Sequence, residues 1–278
     1  MLRTRIITAI VLLAVLLPVL FLGSAPAVMA LCTLFFGAAC WEGLRLFGQK
    51  LQTPVALIWT GIFIWLASTG VSTQFMLVWA IGVLAWAVRF IPSLKFGLPP
   101  TGSVSSRLYS TLYLISVLGC FLAMLVFQRH SASYLLSVMA IVWLADVGAY
   151  FFGKAFGKNK LAPSISPGKS WEGAVGGWIS VLFVGALSTQ VPVFADTFSA
   201  AVQQRWGWLG LCLVLSLLTA ASVTGDLVES QLKRRAQMKD SSNLLPGHGG
   251  VLDRIDALIP VLPVAVLIQT LLEASSRA

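Results

Sequence analysis

Apolar residues run along this chain in long blocks, and the short segments between them collect nearly all of its Lys, Arg, Asp and Glu. Nine blocks stand out, at 6–22, 26–47, 54–71, 74–91, 108–128, 132–152, 172–191, 207–225 and 257–273. A helix rises 1.5 Å per residue, so about 20 apolar residues cross a hydrocarbon core ~30 Å thick. The pattern predicts an all-α, polytopic integral membrane protein with about nine transmembrane helices. No tandem repeat or low-complexity tract divides it. Arg3, Arg5, the first apolar run and the small residues up to Ala30 have the outline of a cleavable signal peptide. The second run starts almost at once, so the pair reads better as a helical hairpin turning at Gly23–Pro26.

Composition agrees with a lipid environment. Of 278 residues, 58% are hydrophobic and 10% charged, whereas an ordinary soluble domain is about 25% charged. A soluble enzyme, a secreted disulfide scaffold and a disordered chain are excluded. Cys32, Cys40, Cys120 and Cys212 lie in apolar runs without metal or redox spacing, and read as buried small apolar side chains. A net charge of +9 would suggest nucleic acid in a soluble protein. Here the commoner cause is the gathering of Lys and Arg in cytoplasmic loops, with no nucleic-acid partner. With the N-terminus in the cytoplasm and the runs alternating, 16 of the 19 Lys and Arg fall inside, and Arg129, Arg205 and Arg277 fall outside.

The acids follow the same side. Glu42, Asp146, Glu172, Asp226, Glu229, Asp240, Asp253 and Asp256 all lie on or near the cytoplasmic face, and five of these eight crowd into 226–256 with His248. Acids at membrane depth are costly unless paired or hydrated, so they usually mark a functional cavity. If the eighth run continues as helix beyond Gly225, then Asp226, Glu229, Ser230 and Lys233 stand at i, i+3, i+4 and i+7 on one face. That stripe can hold a metal and a phosphate together, or be a solvated helix end with a Glu229–Lys233 ion pair.

Two further segments have phosphate-like chemistry. Pro246-Gly247-His248-Gly249-Gly250 lets backbone approach a ligand and aim N–H groups at an anion, with His248 either meeting phosphate or satisfying the loop. Asp253 and Asp256 then share a helix face. They read as an N-cap and its third-residue partner, as ligands of a hard divalent ion, or as both. Between Lys154 and Glu172 a loop with four lysines suits phosphate groups or anionic lipid. Its Gly168-Lys169-Ser170 is not a P-loop, because position 163 is proline where the first glycine is required and no strand precedes it. Asp146 is either a site residue or the ion-pair partner of a loop lysine.

On these residues the chain resembles a known family. SQLKRRAQMKDSSNLLPGHGGVLDRID, from Ser230 to Asp256, is similar to the signature of phosphatidate cytidylyltransferases (CDP-diacylglycerol synthases). The matching fixed residues are Ser230, Lys233, Arg234, Lys239, Asp240, His248, Gly249, Gly250, Asp253, Arg254 and Asp256. LAPSISPGKSWEG, from Leu161 to Gly173, resembles the family's second polar loop, and Gly225 to Ser230 also matches. The resemblance implies transfer of the cytidylyl group of CTP to phosphatidate, giving CDP-diacylglycerol and pyrophosphate, with Mg2+ and room for a second cation. It implies a homodimer in the inner membrane with a cytoplasmic active site. Asp226, Asp253 and Asp256 would line the metal site, and Ser230 and Lys233 would contact phosphate. Ser166, Lys169, Arg234, Lys239, His248, Gly249, Gly250 and Arg254 would bind the substrates. On this reading 1–130 supplies N-terminal transmembrane helices and 131–278 the catalytic region, within a single membrane domain.

The chemistry suits the residues. A phosphate monoester has a second pKa of about 6, so its attacking oxygen is mostly deprotonated at neutral pH and needs no strong base. Positioning and charge neutralisation remain to be supplied. A CTP-dependent lipid kinase would need the same parts, but the unbroken signature favours cytidylyl transfer. An ion-coupled transporter would scatter its acids along the midplane. The Asp-Gly-x-x-Ala-Arg core of a CDP-alcohol phosphotransferase is absent. The charge split predicts that loops 92–107, 154–170 and 234–252 are cytoplasmic. Single cysteines at Ser103, Ser164 and Ser242, in a cysteine-free background, are expected to resist an impermeant thiol reagent in intact cells. Labelling of all three from outside would reverse the topology.

Overall fold

The computed structural model describes residues 2–22, 24–70 and 75–275, with the side chains of 2–6 and 9 excepted. Gly23 of the expected hairpin turn, the side chains of Arg3 and Arg5, and Arg277 therefore lie outside the described residues. Within the described residues each predicted apolar run is helical over most of its length. In order these are α1 (Leu2–Phe21), α2 (Ala25–Leu46), α3 (Gln52–Ser68) and α4 (Met76–Ala85), which continues through a π-helical turn at Trp86–Phe90 into α5 (Ile91–Phe96). There follow α6 (Val104–His130), α7 (Ala132–Phe156), α8 (Trp171–Ser188), α9 (Phe198–Arg235), a single turn α10 (Leu252–Ile255) and α11 (Leu258–Ala274). Among the described residues six helices are long and apolar enough to cross a membrane, with Met76–Phe96 counted as one. The apolar part of α1, α3 and α11 are shorter. The chain is an all-α, polytopic membrane protein.

Local chemistry sets the helix ends. Ser24, Ser103, Ser131, Ser170 and Thr197 each accept a backbone N–H three residues on, which satisfies a donor that the first turn cannot. The π-turn immediately precedes Pro92, which has no N–H and whose ring crowds the carbonyl four residues back. Helix α9 bends at Gly207, whose φ of 67° suits glycine. That is where the eighth apolar run begins, and the helix then continues unbroken past Gly225 to Arg235.

Helix α11 is the centre of the bundle and packs on α4, α6, α7 and α9. Leu258, Ile259, Val261, Leu262 and Ala265 are all buried, as expected of a helix that is apolar all round. Phe36 stacks on Phe63 at 4.8 Å with Phe121 edge-on to both, which joins α2, α3 and α6. Trp79 donates its Nε1–H to the Gly119 carbonyl at 3.0 Å, joining α4 to α6. Leu57, Ile58, Val147, Phe151 and Phe183 point outward, as side chains facing lipid do. Cys212 is also exposed, while Cys40 and Cys120 are buried and Cys32 is half-buried. The expectation of four buried cysteines therefore fails at Cys212, on an outward face of α9.

Helices α7 and α8 make the closest pair. A Cβ at Gly177 would collide with the Ala145 carbonyl, one at Gly173 would lie 2.8 Å from the Ala149 carbonyl, and one at Gly148 would meet Ser180. In lipid, where apolar contact alone gives little drive, such small-residue faces let backbones pack tightly. The segment between these helices is not simply a loop. β1 (Lys160–Ala162) and β2 (Ser166–Ser170) pair antiparallel, Lys160 with Ser170 and Ala162 with Ser166. This hairpin lies over the ends of α7 and α9.

Candidate active site

The C-terminal halves of α7 and α9, the start of α8 and strand β2 enclose a cavity of about 390 Å3. Its polar lining is Asp146, Tyr150, Lys154, Lys169, Ser170, Thr219 and Asp226, and much of the rest is glycine and alanine. The tight α7–α8 contact brings the hairpin against α9. There Lys169 of β2 forms an ion pair with Asp226. Ser230, one turn further along α9, donates to Asp226 Oδ1 at 3.2 Å. Asp146 is thus a lining residue of the site, which its position in the chain left open.

Beside this cavity lies a second, more deeply buried charge cluster. Lys233 pairs with Glu229, its i,i+4 neighbour, and with Asp253 Oδ1 at 2.6 Å. Glu229 is fully buried. Asp253 Oδ2 accepts the Ser241 N–H at 2.8 Å, the Ser241 hydroxyl at 2.9 Å and the Gly250 N–H at 2.8 Å. Burial alone would raise the Asp253 carboxyl, but the hydrogen bonds from Lys233, Gly250 and Ser241 outweigh it and hold the group below its usual range. Asp253 is not the N-cap. That position belongs to Val251, and Asp253 sits in the first turn and reaches back over the preceding loop.

Asp256 completes the acidic group. Its Oδ1 accepts the Ala257 N–H at 2.8 Å. Burial, and then the negative charge of Asp226, push its carboxyl up to about 7. The approach of Asp226 to this turn depends on Gly225, where a Cβ would lie 2.5 Å from the Asp256 carbonyl and 2.9 Å from Ala257 Cα. Asp226, Glu229, Asp253 and Asp256 therefore converge on one end of α9, with Lys169 and Lys233 as the paired cations.

The remaining expected residues act mainly on the frame. Gly249 has φ +82°, and a Cβ there would come within 2.6 Å of Asp253 Oδ2. A Cβ at Gly250 would collide with Ser241 Oγ and Glu42 Oε1. These glycines make room for the chain's own carboxylates, and the Gly250 N–H already serves one. Arg254 donates from Nε and Nη2 to the His248 carbonyl at 3.1 and 2.7 Å, closing the loop. Arg234 donates to the Ile165 carbonyl at 3.4 Å and ties the hairpin to α9. Ser166 is half-buried in β2, and Lys239 is exposed. Glu42 of α2, which the sequence marks only as one of the eight acids near the charged face, is buried against Ser241 and Ser242. Ser242 is 4% exposed, so a cysteine there would be shielded from either side, and Ser103 and Ser164 carry the topology test.

Among the described residues no three His, Cys, Asp or Glu gather closely enough to hold a metal unaided. The donor set does suit a hard divalent ion that takes one or two carboxylates and completes its shell with phosphate and water.

Comparison with known proteins agrees with this geometry. The pattern of the cytidylyltransferase family matches residues 3–272. A phosphatidate cytidylyltransferase of Haemophilus influenzae is 37% identical over 295 residues, covering 95% of this chain and 96% of its own. One of Pseudomonas aeruginosa is 38% identical over 275 residues, covering 95% of each chain. One of Bacillus subtilis is 40% identical over 136 residues, about half of each chain. The chain belongs to the cytidylyltransferase family.

Lys233 is the cation between two buried acids, so its loss should be structural as well as chemical. Removing one partner of a buried pair typically costs about 3–5 kcal/mol. Lys233→Met is expected to lower the thermal midpoint of the detergent-solubilised protein, and adding Glu229→Gln should recover part of the loss. An unchanged midpoint in Lys233→Met would contradict this role.

Proposed function

We propose that this member of the cytidylyltransferase family transfers the cytidylyl group of CTP to phosphatidate, giving CDP-diacylglycerol and pyrophosphate. The observation that carries the reading is the joining of Lys169, from the hairpin, to Asp226 of the signature helix across a cavity at one end of the bundle. Near full-length similarity to the two proteobacterial phosphatidate cytidylyltransferases supports the choice of substrates.

The reaction brings two anions together. A phosphate oxygen of phosphatidate attacks the α-phosphorus of CTP, the bond to the β-phosphate oxygen breaks, and pyrophosphate leaves. The nucleophile is already deprotonated near neutral pH, so no side chain has to remove a proton. Lys154 and Lys169 face the cavity and would draw in the phosphate groups, and Arg234 adds positive charge where it meets the hairpin. Ser230 orients Asp226 and is available to phosphate. Ser166 lies in the hairpin that carries Lys169, and His248, Gly249, Gly250 and Arg254 shape the loop around Asp253.

Mg2+ is the proposed cofactor, with Asp226, which lines the cavity, as its first ligand and Asp256 beside it. Asp226 would exchange Lys169 for the ion, and Asp253 would join only by releasing a present donor such as Lys233. When bound, the ion would neutralise phosphate charge and hold the two substrates in register. The carboxylates of this site outnumber its lysines, which suits an added cation.

We further propose that the enzyme is a homodimer of the inner membrane, with nine crossings, a cytoplasmic N-terminus and the cavity on the cytoplasmic side. The 16-to-3 distribution of Lys and Arg supports that orientation. The lipid tails then need never leave the bilayer.

Purified protein given phosphatidate, Mg2+ and CTP labelled at the α- or γ-phosphorus tests the reaction. Cytidylyl transfer requires α-label in the lipid phase and γ-label in soluble pyrophosphate. Entry of γ-label into lipid, with α-label left in CDP, would make the protein a lipid kinase. Failure of both labels to move in folded protein would reject both enzymatic readings.

A further inference from the structure

Glu42 stands about two hundred residues before the signature, and nothing in the reaction described above calls on it. It is fully buried. Among the described residues no Lys, Arg or His pairs with it. Four neutral donors stand within hydrogen-bond distance of it instead, one of them the Ser241 hydroxyl that Asp253 shares. Oε1 accepts the Val251 N–H at 3.1 Å and the Ser242 hydroxyl at 2.5 Å. Oε2 accepts the Leu252 N–H at 2.6 Å and lies 3.2 Å from the Ser241 hydroxyl. A buried carboxylate without such donors would be strongly unfavourable, so the four bonds fix the loop as firmly as they satisfy the acid.

Ser241 is the branch point. Its hydroxyl has one proton and two acceptors within reach, Glu42 Oε2 and Asp253 Oδ2, and its backbone N–H donates to the same Asp253 oxygen. Asp253 holds Lys233, which in turn holds Glu229. Gly250 threads between Ser241 and Glu42 where no side chain fits. A continuous polar path therefore runs from α2 to the charged face of α9. We infer that Glu42 is a positioning residue for the cytidylyl transfer, clamping residues 241–252 and, through Ser241, setting Asp253 and Lys233. Its link to turnover rests on the proposed function, while the clamp itself does not.

Glutamine is a poor substitute here. Each Glu42 oxygen accepts a backbone N–H, so either orientation of a Gln amide sets its NH2 against Val251 or Leu252. Ser241→Ala removes the bridge to Asp253 but leaves both backbone bonds to Glu42. Ser242→Ala removes a donor to Glu42 and no bond to Asp253.

The test combines amide hydrogen exchange with steady-state kinetics on full-length protein. Glu42→Gln should raise exchange at Ser241, Gly250, Val251 and Leu252 while leaving α4, α6 and α11 protected. Among correctly folded molecules, Glu42→Gln and Ser241→Ala should each lower kcat about 10- to 100-fold, the usual effect of losing an outer-shell partner. KM for CTP and phosphatidate should change little, and Ser242→Ala should lose less. The double variant should lose no more than the worse single one, because the two residues act in series. Unchanged exchange in Glu42→Gln would overturn the clamp. Raised exchange with normal kcat, or losses that multiply in the double variant, would overturn the positioning role. If wild-type protein makes no CDP-diacylglycerol while exchange rises as described, the clamp stands and the functional reading is the part that fails.

Discussion

A carboxylate at the edge of an apolar bundle must find donors or cations to replace the water it loses. The signature region of this chain and the part of α2 that meets it are arranged around that demand. Glu42 is met by hydroxyls and backbone amides, and Asp253 by a lysine, a serine and a glycine amide. Glu229 shares Lys233, and Asp226 has Lys169 and Ser230. Most of these solutions join elements distant in sequence, so satisfying the acids also assembles the site. Hydrogen bonds to charged groups contribute about 1.5–3 kcal/mol each, enough in combination to hold the irregular segment 236–251 against α2 and α9.

Small residues make these approaches possible. Gly225 lets the signature helix meet the turn at Asp256, and Gly250 fits where Ser241 and Glu42 leave no space for a side chain. The glycine face between α7 and α8 works at larger scale, drawing Asp146 and Lys169 towards one cavity. Packing and chemistry are therefore not separable here. A methyl group at Gly225 would press on the backbone that carries Asp256.

Local features of the site were legible in the sequence, and long-range ones were not. Apolar run length located the helices, and the i,i+4 spacing put Glu229 beside Lys233 once α9 was taken to continue. The hairpin at 160–170 looks like a loop in the sequence, because Pro163 and Pro167 interrupt so short a segment and leave no alternation to recognise. Asp253 looked like a cap because Asp is a common capping residue, yet its side chain turns back to a loop whose path no periodicity reveals. Gly249 and Gly250 suggest in the sequence a close approach to a ligand, whereas the groups they make room for in the structure are the chain's own carboxylates. Glu42 stands in the sequence only as one acid among eight, because its partners Ser241, Ser242, Val251 and Leu252 lie at the far end of the chain.

The resulting site has a division of labour. Asp253, Lys233 and Glu229 are engaged with one another and with the loop, whereas Asp226 lines the cavity, where Lys169 and Ser230 hold it. We therefore propose Asp226, in exchange for its Lys169 contact, as the principal ligand of the divalent ion. Direct binding of Mn2+ in place of Mg2+, followed by electron paramagnetic resonance on purified protein without nucleotide or lipid, tests this division most directly. Asp226→Asn is expected to weaken Mn2+ binding about tenfold or more, at least the effect of losing an outer-shell partner. Wild-type affinity in correctly folded Asp226→Asn would contradict the account.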